Sequence, residues 1–424
     1  MSPSQTLRRL LRSLALLMPL TVFLPQPAAA LPSFARQTGM ECAACHVGAF
    51  GPQLTPTGIR FKLGGYSDGE GGNLPLSAMA VGSFTHTKED QDPAPEHLKK
   101  NDNLTLDEVS AFLGGRFSEH SGALVQVTHS GIDHSTALDQ MDVRVTRNIK
   151  LGGKDGIVGL TLNNNPGVQD PFNTLPAWRF PFTSSEAALG TGEAASLLNG
   201  GLEGRVLGLS AYAFLQDHLY GEIGAYRSMS PSLQKRIGLD EDEQKINGNT
   251  YWRVGWMGDR KRDSFHVGAF GWSASLTPDR GVPSERERYR DIGLDAGYQY
   301  LGNRNRVFAI DGSVTRERLR TPGTNDSETL RETRLNASYY IDQTWGLSAG
   351  VFSTTGSDAA LDTRGSLLQV DWTPWGKENI AIAQPFPAAN LRLGAQYWRY
   401  GRVDGESAGS HNANTLFVFA WLSF

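Results

Sequence analysis

Two cysteines and one histidine near the amino-terminal end carry the most specific chemistry of the sequence. They form the run Cys42-Ala43-Ala44-Cys45-His46, and the 424-residue chain contains no further cysteine. With this C-x-x-C-H spacing, two thiols reach one edge of a porphyrin and form thioethers, while the adjacent imidazole ligates the iron. We therefore predict one covalent c-type haem, attached to Cys42 and Cys45, with His46 as the proximal iron ligand.

Other uses of the motif fit less well. A disulfide is the ordinary state of two cysteines in an exported chain, but the spacing and the following histidine favour haem. A zinc site needs more ligands of this kind, and a thioredoxin-like motif needs a βαβ context that is absent from the sequence. The sixth iron ligand stays open among Met40, Met79, His86, His97 and His129. Two further histidines, His218 and His266, are predicted to lie at turns without a role.

The first 30 residues predict a secretory signal peptide. Three arginines precede an apolar stretch, Leu14 to Leu24, and Ala28-Ala29-Ala30 forms a small-residue cleavage site. Cleavage before Leu31 changes the formal net charge from −4 to −7, because it removes three arginines and no acid. A mildly acidic chain disfavours nucleic acid as a partner.

Residues 31–73 form a c-type cytochrome segment that must position the motif. Thr57 is expected to cap a short helix through Phe61, which ends at Gly64 or Gly65, and a glycine-rich link, 69–73, follows. About 40 residues cannot easily bury a haem and remain stable alone. We expect either that the haem forms much of the core or that the next region provides a wall.

Residues 74–424 repeat a pattern typical of β-strands. Ile292 and Leu294 point to one face and Asp291 and Asp295 to the other, and the same alternation recurs along the chain. Charges at this density suit a water-filled lumen, with the apolar face against outer-membrane lipid. The predicted fold class is mainly β: an antiparallel transmembrane barrel of about 16 strands whose lumen is plugged by the haem-binding segment. The predicted strands begin near residues 76, 104, 121, 139, 155, 203, 218, 249, 263, 289, 306, 330, 344, 365, 389 and 414.

The connections between these strands alternate in length. Short ones, such as 216–218, alternate with longer ones, such as 88–103, and the fourteenth, 374–389, is an exception. Short periplasmic turns opposite longer outer loops are typical of outer-membrane barrels. The final strand ends at Phe424, which resembles the assembly signal of such barrels. We predict the outer membrane of a Gram-negative bacterium, with both termini in the periplasm.

Two of the outer loops have unusual compositions. The longest connection, 166–200, is the third outer loop and is rich in proline and aromatic residues. Long structureless loops are usually functional, so we expect this loop to fold into the lumen rather than to lie on the surface. The acidic run Asp240-Glu241-Asp242-Glu243 falls in another outer loop, where it is either simply solvated or attracts cations.

The sequence resembles the fused cytochrome–porins, the outer-membrane monohaem c-type cytochromes of iron-oxidising bacteria. The stretches that carry the likeness are Phe34-Ala35-Arg36-Gln37-Thr38-Gly39, the haem motif, Leu54-Thr55-Pro56, Phe61-Lys62, Gly65-Tyr66 and Ser83-Phe84-Thr85-His86-Thr87. The resemblance implies haem attachment by Cys42 and Cys45 and ligation by His46. It also implies that the haem accepts electrons from extracellular ferrous iron and passes them to periplasmic c-type cytochromes or other electron carriers.

Two functions stay open at this point. In the first, the haem segment plugs the barrel and the chain is an electron conduit; iron(II) oxidation is then implied by the resemblance alone. In the second, the barrel is a solute porin with a periplasmic cytochrome appendage, which the short link from Tyr66 to Leu74 disfavours. A variant of the first function is electron transfer outward to an extracellular acceptor, in which the same structure carries electrons in the opposite direction. The sequence contains no G-x-S-x-G, H-E-x-x-H or phosphate-loop motif.

Overall fold

A computed structural model describes residues 32–70, 75–188, 195–260, 262–283, 285–321, 327–376 and 389–424. The predicted signal peptide and residues 71–74 of the link lie outside the described residues. Sixteen antiparallel strands close into one barrel, because β1 pairs with both β2 and β16. The strands are β1 Leu76–Thr87, β2 Asn103–Ser118, β3 Ser121–Ser130, β4 Ser135–Leu151, β5 Lys154–Asn163, β6 Val206–Leu215, β7 Leu219–Ser228, β8 Lys245–Arg260, β9 Asp263–Thr277, β10 Glu287–Tyr300, β11 Arg306–Arg320, β12 Ser327–Ile341, β13 Trp345–Gly356, β14 Thr363–Trp372, β15 Asn390–Arg402 and β16 Thr415–Ser423.

The alternation of side chains in the strands is confirmed. On β10, Ile292 and Leu294 are 44% and 57% exposed on the outer face, while Asp291 and Asp295 are 1% and 2% exposed on the lumen face. Because successive side chains of a strand point to opposite faces, one strand presents an apolar surface to lipid and a charged surface to the lumen. The fold class predicted from the sequence is therefore correct.

The last residue of the chain takes part in closing the barrel. The Phe424 amide donates to the carbonyl of Ala78 at 2.9 Å, and the Phe424 carbonyl accepts from the Ala78 amide at 2.7 Å. The ladder between β1 and β16 then continues from Met79 opposite Ser423 to Thr87 opposite Thr415. Closure leaves no unpaired sheet edge, which a barrel in a membrane cannot tolerate.

Most strands begin within three residues of their predicted starts, but β4 and β8 do not. β4 begins at Ser135 and β8 at Lys245, each four residues before its predicted start. In both strands the pairing register shifts near the beginning. In β4 the shift lies opposite Gln126 of β3, and in β8 it lies between Ile246 and Gly248. A β-bulge interrupts the period of two, and the regular alternation that marks a strand therefore starts only after it.

The two ends of the barrel differ in their connections. One end, the short-turn end, carries the turns at 119–120, 152–153, 216–218 and 342–344; the other, the long-loop end, carries 88–102 and 229–244, for example. Two connections depart from this parity. The β3–β4 turn at the long-loop end has only residues 131–134, and 373–389 forms a long connection at the short-turn end.

Residues 32–70, the lumen segment, lie inside the barrel. The segment contains three helices, α1 Pro32–Thr38, α2 Cys42–Cys45 and α3 Pro56–Leu63. Its hydrogen bonds reach strands on all sides of the lumen: Ser33 to Ser77 of β1, Tyr66 to Asp142 of β4, Arg60 to Asp259 of β8, Gln53 to Asp311 of β11 and Asn390 of β15 to Ala49. The barrel is thus the wall that so small a segment needs. None of the helices in the described residues combines the length and apolarity needed to cross a membrane.

Helix α3 corrects one detail of the sequence prediction. Its N-cap is Thr55, whose hydroxyl accepts from the Gly58 amide, and not Thr57, which lies within the helix. Pro56 explains the difference, because proline is favoured at the first helical position, which puts the cap one residue earlier. The helix ends at Leu63 with Gly64 as its C-cap, as predicted, and the following Gly65 has a φ of +75°.

The described parts of the β5–β6 loop, residues 164–188 and 195–205, fold into the lumen as predicted for the third outer loop. The loop contains α4 Pro166–Gln169, and Val168 and Leu175 are fully buried. Its main anchor is Arg253 of β8, a fully buried guanidinium that pairs with Asp170 of the loop at 2.8 Å and with Asp295 of β10. The remaining helix, α5 Pro231–Arg236, lies in the β7–β8 loop at the long-loop end.

Candidate functional site

The Cys42–His46 motif forms a single helical turn followed by extended backbone. The His46 amide donates to the Cys42 carbonyl at 2.8 Å, which closes the turn, and His46 itself has φ −118° and ψ 140°. His46 then forms an isolated β-bridge with Leu54. The turn places both cysteines and the histidine on one compact unit without help from the barrel.

Helix α3 supports this unit from behind. The Thr55 hydroxyl donates to the Ala44 carbonyl at 2.6 Å, and the Thr55 amide donates to the Cys45 carbonyl at 2.9 Å. A β-carbon on Gly58 would come within 2.4 Å of the Cys45 carbonyl oxygen, so only glycine allows the helix to approach so closely. Thr55 and Gly58, which follow the motif, therefore have a structural reason for their types.

The barrel fixes the motif near the short-turn end. Arg304, in the turn between β10 and β11, donates to the Ala43 carbonyl at 2.5 Å. Asn390, at the start of β15, donates to the Ala49 carbonyl at 3.0 Å and lies 3.8 Å from the Cys42 sulfur. Both contacts come from the end of the barrel that carries the short turns.

The two cysteines are free thiols in this fold. Cys42 is buried, and burial raises the pKa of its thiol to about 12. Burial also raises the pKa of Cys45, an effect that the nearby Arg304 guanidinium opposes. Both sulfurs are consequently protonated at neutral pH, and they are not used in a disulfide.

His46 is neutral in the folded protein. Burial lowers the pKa of its imidazole to about 4, and the adjacent backbone of Gly51 and Gln53 offsets this only in part. Its Nδ1 atom is buried and has no hydrogen-bond partner among the described residues. The His46 side chain is also part of the lining of a cavity, which is described next. A neutral imidazole is the form that ligates metal ions.

A cavity of about 790 Å³ opens beside the motif, within the lumen. Cys42, Cys45 and His46 line it, and so do α3, β1, β2, β16 and the β5–β6 loop. Its aromatic lining comes from segments far apart in the sequence: Phe34, Phe61, Trp178, Phe182, Trp398 and Trp421. Cavities of a few hundred to a thousand cubic ångströms with mostly apolar walls are typical of cofactor and small-molecule sites.

The structure separates the candidates for the sixth ligand. Met40 and Met79 both line the cavity with His46; Met79 is 8% exposed and packs against Tyr66, Phe112 and Leu124. The three histidines lie elsewhere: His86 pairs with Asp102 at 2.8 Å, His97 is exposed beside Glu96, and His129 bonds to Thr136. Within the described residues, only the methionine candidates share the cavity of the motif.

One histidine was predicted wrongly. His266 does not lie at a turn: it is in β9, faces the lumen with 6% exposure, and stacks on Phe172 of the β5–β6 loop with ring centroids 4.2 Å apart. The surrounding run, Phe265 to Phe270, is apolar on both faces, which hid the alternation. His218 does lie at a turn, as predicted.

Sequence reasoning also missed the aromatic wall of the cavity. In β16, Phe417, Phe419 and Trp421 point inward while Leu416 and Val418 point outward, and the Trp421 ring meets Phe50 of the lumen segment at 5.0 Å. The available signal was that this strand is apolar on both faces. An apolar inward face in a polar lumen must be covered by another part of the chain.

Comparisons with known proteins identify the fold alone. OprB of Pseudomonas putida, solved at high pH, has a TM-score of 0.50 at 12% identity, over 82% of this chain and 94% of that one. OmpF of Salmonella typhi in complex with daunomycin has a TM-score of 0.46 at 11% identity, over 82% and 97% of the two chains. An anion-selective porin from Comamonas acidovorans has a TM-score of 0.45 at 11% identity, over 82% and 98%. No protein-family model matches the sequence, and no curated protein matches it.

Proposed function

We propose that this protein is an outer-membrane electron conduit with one c-type haem, attached to Cys42 and Cys45 and ligated by His46. One observation carries the proposal: the C-x-x-C-H turn lies inside the barrel and borders a cavity of about 790 Å³ with aromatic walls. In line with the resemblance to the fused cytochrome–porins, the electron donor is extracellular ferrous iron and the acceptor is a periplasmic c-type cytochrome or another electron carrier.

The residues present fit a covalent haem. Both thiols are free, one helical turn apart, and both line the cavity. The imidazole of His46 is neutral and faces this cavity, and its buried Nδ1 atom has no hydrogen-bond partner among the described residues. Met40 and Met79 also line this cavity, and either could supply a further ligand to the iron. When bound, a c-type haem supplies a one-electron redox centre.

The rest of the chain holds and insulates this site. The lumen segment is fastened to strands around the barrel, and the β5–β6 loop covers the cavity with Trp178 and Phe182. The Arg392 guanidinium of β15 lies 5.8 Å from the centroid of the Phe182 ring. This cation–π contact joins the β5–β6 loop to a strand far from β5 and β6 in the barrel. Together these elements restrict water in the lumen and keep the motif near the short-turn end.

Haem attachment is tested first. The double variant Cys42→Ala/Cys45→Ala should lose all haem that survives denaturation, because both thioether bonds are removed, and His46→Ala should lose the proximal ligand. His97→Ala, an exposed histidine outside the cavity, is the control and should retain haem. Haem staining of denaturing gels measures the covalent bond. Stained haem in the double cysteine variant contradicts the c-type assignment.

The electron donor is tested by stopped-flow absorbance. Oxidised, haem-loaded protein mixed with ferrous iron should show reduction of the haem, and changes in Asp240 to Glu243 should alter its rate and salt dependence more than haem content. If the haem stays oxidised although its measured potential lies well above that of the iron couple, the donor is not ferrous iron. The barrel and the haem assignment do not depend on that result.

We infer the orientation in the membrane from the difference between the two barrel ends. We expect the long-loop end outside and both termini in the periplasm, as in other outer-membrane barrels. A protease site or tag inserted near Asp240, in the β7–β8 loop, should be accessible on intact cells, whereas one near Asn303, in the β10–β11 turn, should not. The reverse pattern of accessibility contradicts this orientation.

A solute porin is the second candidate function. The observation that favours it is the barrel itself, which has the strand number of a porin and shares its fold with OprB. In such a porin, residues 32–70 would act as a plug in the lumen, where they bond to the walls, and not as the periplasmic appendage that the sequence left open. Solute flux into liposomes by the full-length protein, at the level of an open barrel, would favour this second function.

A further inference from the structure

Two β-bulges face the same side of the lumen. In the β1–β2 ladder, Val81 lies opposite Glu108 and Gly82 opposite Leu106, so that Asp107 is an extra residue. Asp107 and Glu108 consequently both line the cavity although they are adjacent, while Leu106 and Val109 remain exposed on the outer face. Bulges of this kind re-aim a side chain and are frequent next to functional sites.

The second bulge repeats this arrangement on the next hairpin. Gln126 of β3 lies opposite two residues of β4, Asp139 and Gln140, and both of them line the cavity. Asp107 and Asp139 are each the fifth residue of a strand that begins at the long-loop end. The cavity thus has the haem motif near its short-turn end and bulged carboxylates towards its long-loop end.

The β5–β6 loop adds two carboxylates, Glu186 and Glu203, to the same cavity. Burial raises the pKa of Glu186 to about 7, and repulsion from Asp107, Asp133 and Asp139 adds to the shift. Burial and repulsion from Asp139 also raise the pKa of Glu203. The two loop carboxylates thus lie close enough to the bulged aspartates to be repelled by them. The five carboxylates that line the cavity, Asp107, Glu108, Asp139, Glu186 and Glu203, are called the acidic cluster below.

Within the described part of the chain, little positive charge offsets the acidic cluster. Among the described residues, no lysine, arginine or histidine lies within 4.0 Å of its carboxylates. Arg179 and Arg334 line the same cavity, and the attraction of Arg179 reaches only Glu203 within the cluster. Asp107 is 7% exposed; its Oδ1 atom accepts from Ser83 at 2.8 Å and from Thr105, but its Oδ2 atom has no partner in the described protein. A buried, unpaired carboxylate oxygen is costly unless a charge or donor meets it.

We infer that the acidic cluster is a binding site for a divalent cation, on the side of the cavity that faces the long-loop end. Carboxylate oxygens suit hard divalent ions. No group of three ligating side chains in the described residues could hold a metal ion directly, so the cation keeps most of its water shell and is attracted by the carboxylates through it. The natural ion is ferrous iron; this identity alone rests on the proposed function.

The site is tested with Mn²⁺ as the probe, on full-length, haem-loaded protein in detergent micelles. Electron paramagnetic resonance distinguishes free from bound Mn²⁺ at fixed ionic strength. The variant Asp107→Asn/Glu108→Gln/Asp139→Asn should bind Mn²⁺ roughly tenfold more weakly than the unchanged protein. The control Glu89→Gln/Asp404→Asn/Glu406→Gln removes three exposed carboxylates at the same end of the barrel and should bind as the unchanged protein does.

Equal Mn²⁺ affinity in the unchanged protein and the lumen variant overturns the inference, and so does an equal loss in the control. If the triple variant does not fold, Glu108→Gln alone should weaken Mn²⁺ binding by about threefold.

The rate of haem reduction by ferrous iron separates this inference from the proposed function. Loss of Mn²⁺ binding in the lumen variant with no haem reduction in any protein leaves the cation site standing and rejects iron as the donor. Reduction at the same rate in the unchanged protein and the lumen variant rejects the site as part of the iron path.

Discussion

The barrel wall and the lumen segment are held together by different kinds of hydrogen bond. In the wall, backbone groups pair between neighbouring strands all the way round, and Phe424 completes the ring against Ala78. Between the lumen segment and the wall, every hydrogen bond in the described residues involves a side chain, such as Tyr66 to Asp142 or Arg60 to Asp259. A backbone ladder is largely independent of residue type, whereas a side-chain contact depends on particular residues at both ends.

The two regions therefore depend on each other unequally. The wall keeps its strand-to-strand ladder without the segment, as do porin barrels that enclose a water-filled channel. The segment, at about 40 residues, takes most of its core from the wall: Leu54, Ile59 and Leu63 pack against Tyr212 and other residues of the barrel. Loss of the segment should change what passes through the barrel, and loss of the wall should unfold the segment.

Removal of residues 32–70 is the largest test of this comparison. The barrel should still fold, and its single-channel conductance in planar bilayers should rise by roughly tenfold or more, because a 16-stranded barrel without its plug holds an aqueous channel. Heat-dependent mobility on gels, compared with the full-length protein, verifies that the truncated barrel is folded. A folded but non-conducting truncation means that the β5–β6 loop alone closes the lumen.

The second test breaks the anchor between the wall and the β5–β6 loop. Arg253→Met leaves the buried Asp170 and Asp295 without their common partner and should lower the free energy of unfolding by about 3–5 kcal/mol. Equilibrium unfolding in guanidinium chloride measures the loss. Arg147→Met, at an exposed position of β4, is the matched control and should change little. A small effect of Arg253→Met indicates that the loop is held mainly by its apolar contacts.

The third test acts on the lipid face of the wall. Ile223 is 61% exposed at the middle of β7, and Ile223→Arg should cost about 2–4 kcal/mol in lipid bilayers, as a charge near the bilayer midplane does. Ile223→Leu keeps the face apolar and serves as the control. Because Ile223 points away from the lumen, haem content of the folded fraction should stay the same. A loss of haem in that fraction contradicts the separation of the two faces.

The smallest effect is expected from a single bond between the segment and the wall. Tyr66→Phe removes the 2.6 Å bond from the tyrosine hydroxyl to Asp142, whose carboxylate still accepts from Arg144 at 2.7 Å. The free energy of unfolding should fall by about 1 kcal/mol. Tyr300→Phe, on the exposed face of β10, is the control. An effect as large as that of Arg253→Met indicates that the segment and the wall unfold as one unit.

Local regularities allowed the sequence to predict the barrel wall. The period of two assigns each strand residue to lipid or lumen, and turn lengths distinguish the two ends, because both depend on neighbouring residues only. The Cys42–His46 motif is equally local, since one helical turn contains all of it. The structure confirms the strands, the alternation and the inward fold of the β5–β6 loop; the haem and its electron partners stay predictions.

The remaining features were decided by tertiary structure. The cavity joins the motif to Trp178, Trp398 and Trp421, which lie in distant parts of the chain and meet only because the barrel closes. The bulges that turn Asp107 and Asp139 into the lumen depend on how many residues the neighbouring strand offers, a register that no single strand encodes. The sequence determines which residues can face the lumen, and closure of the barrel determines which of them meet, because contacts across a lumen join residues hundreds of positions apart.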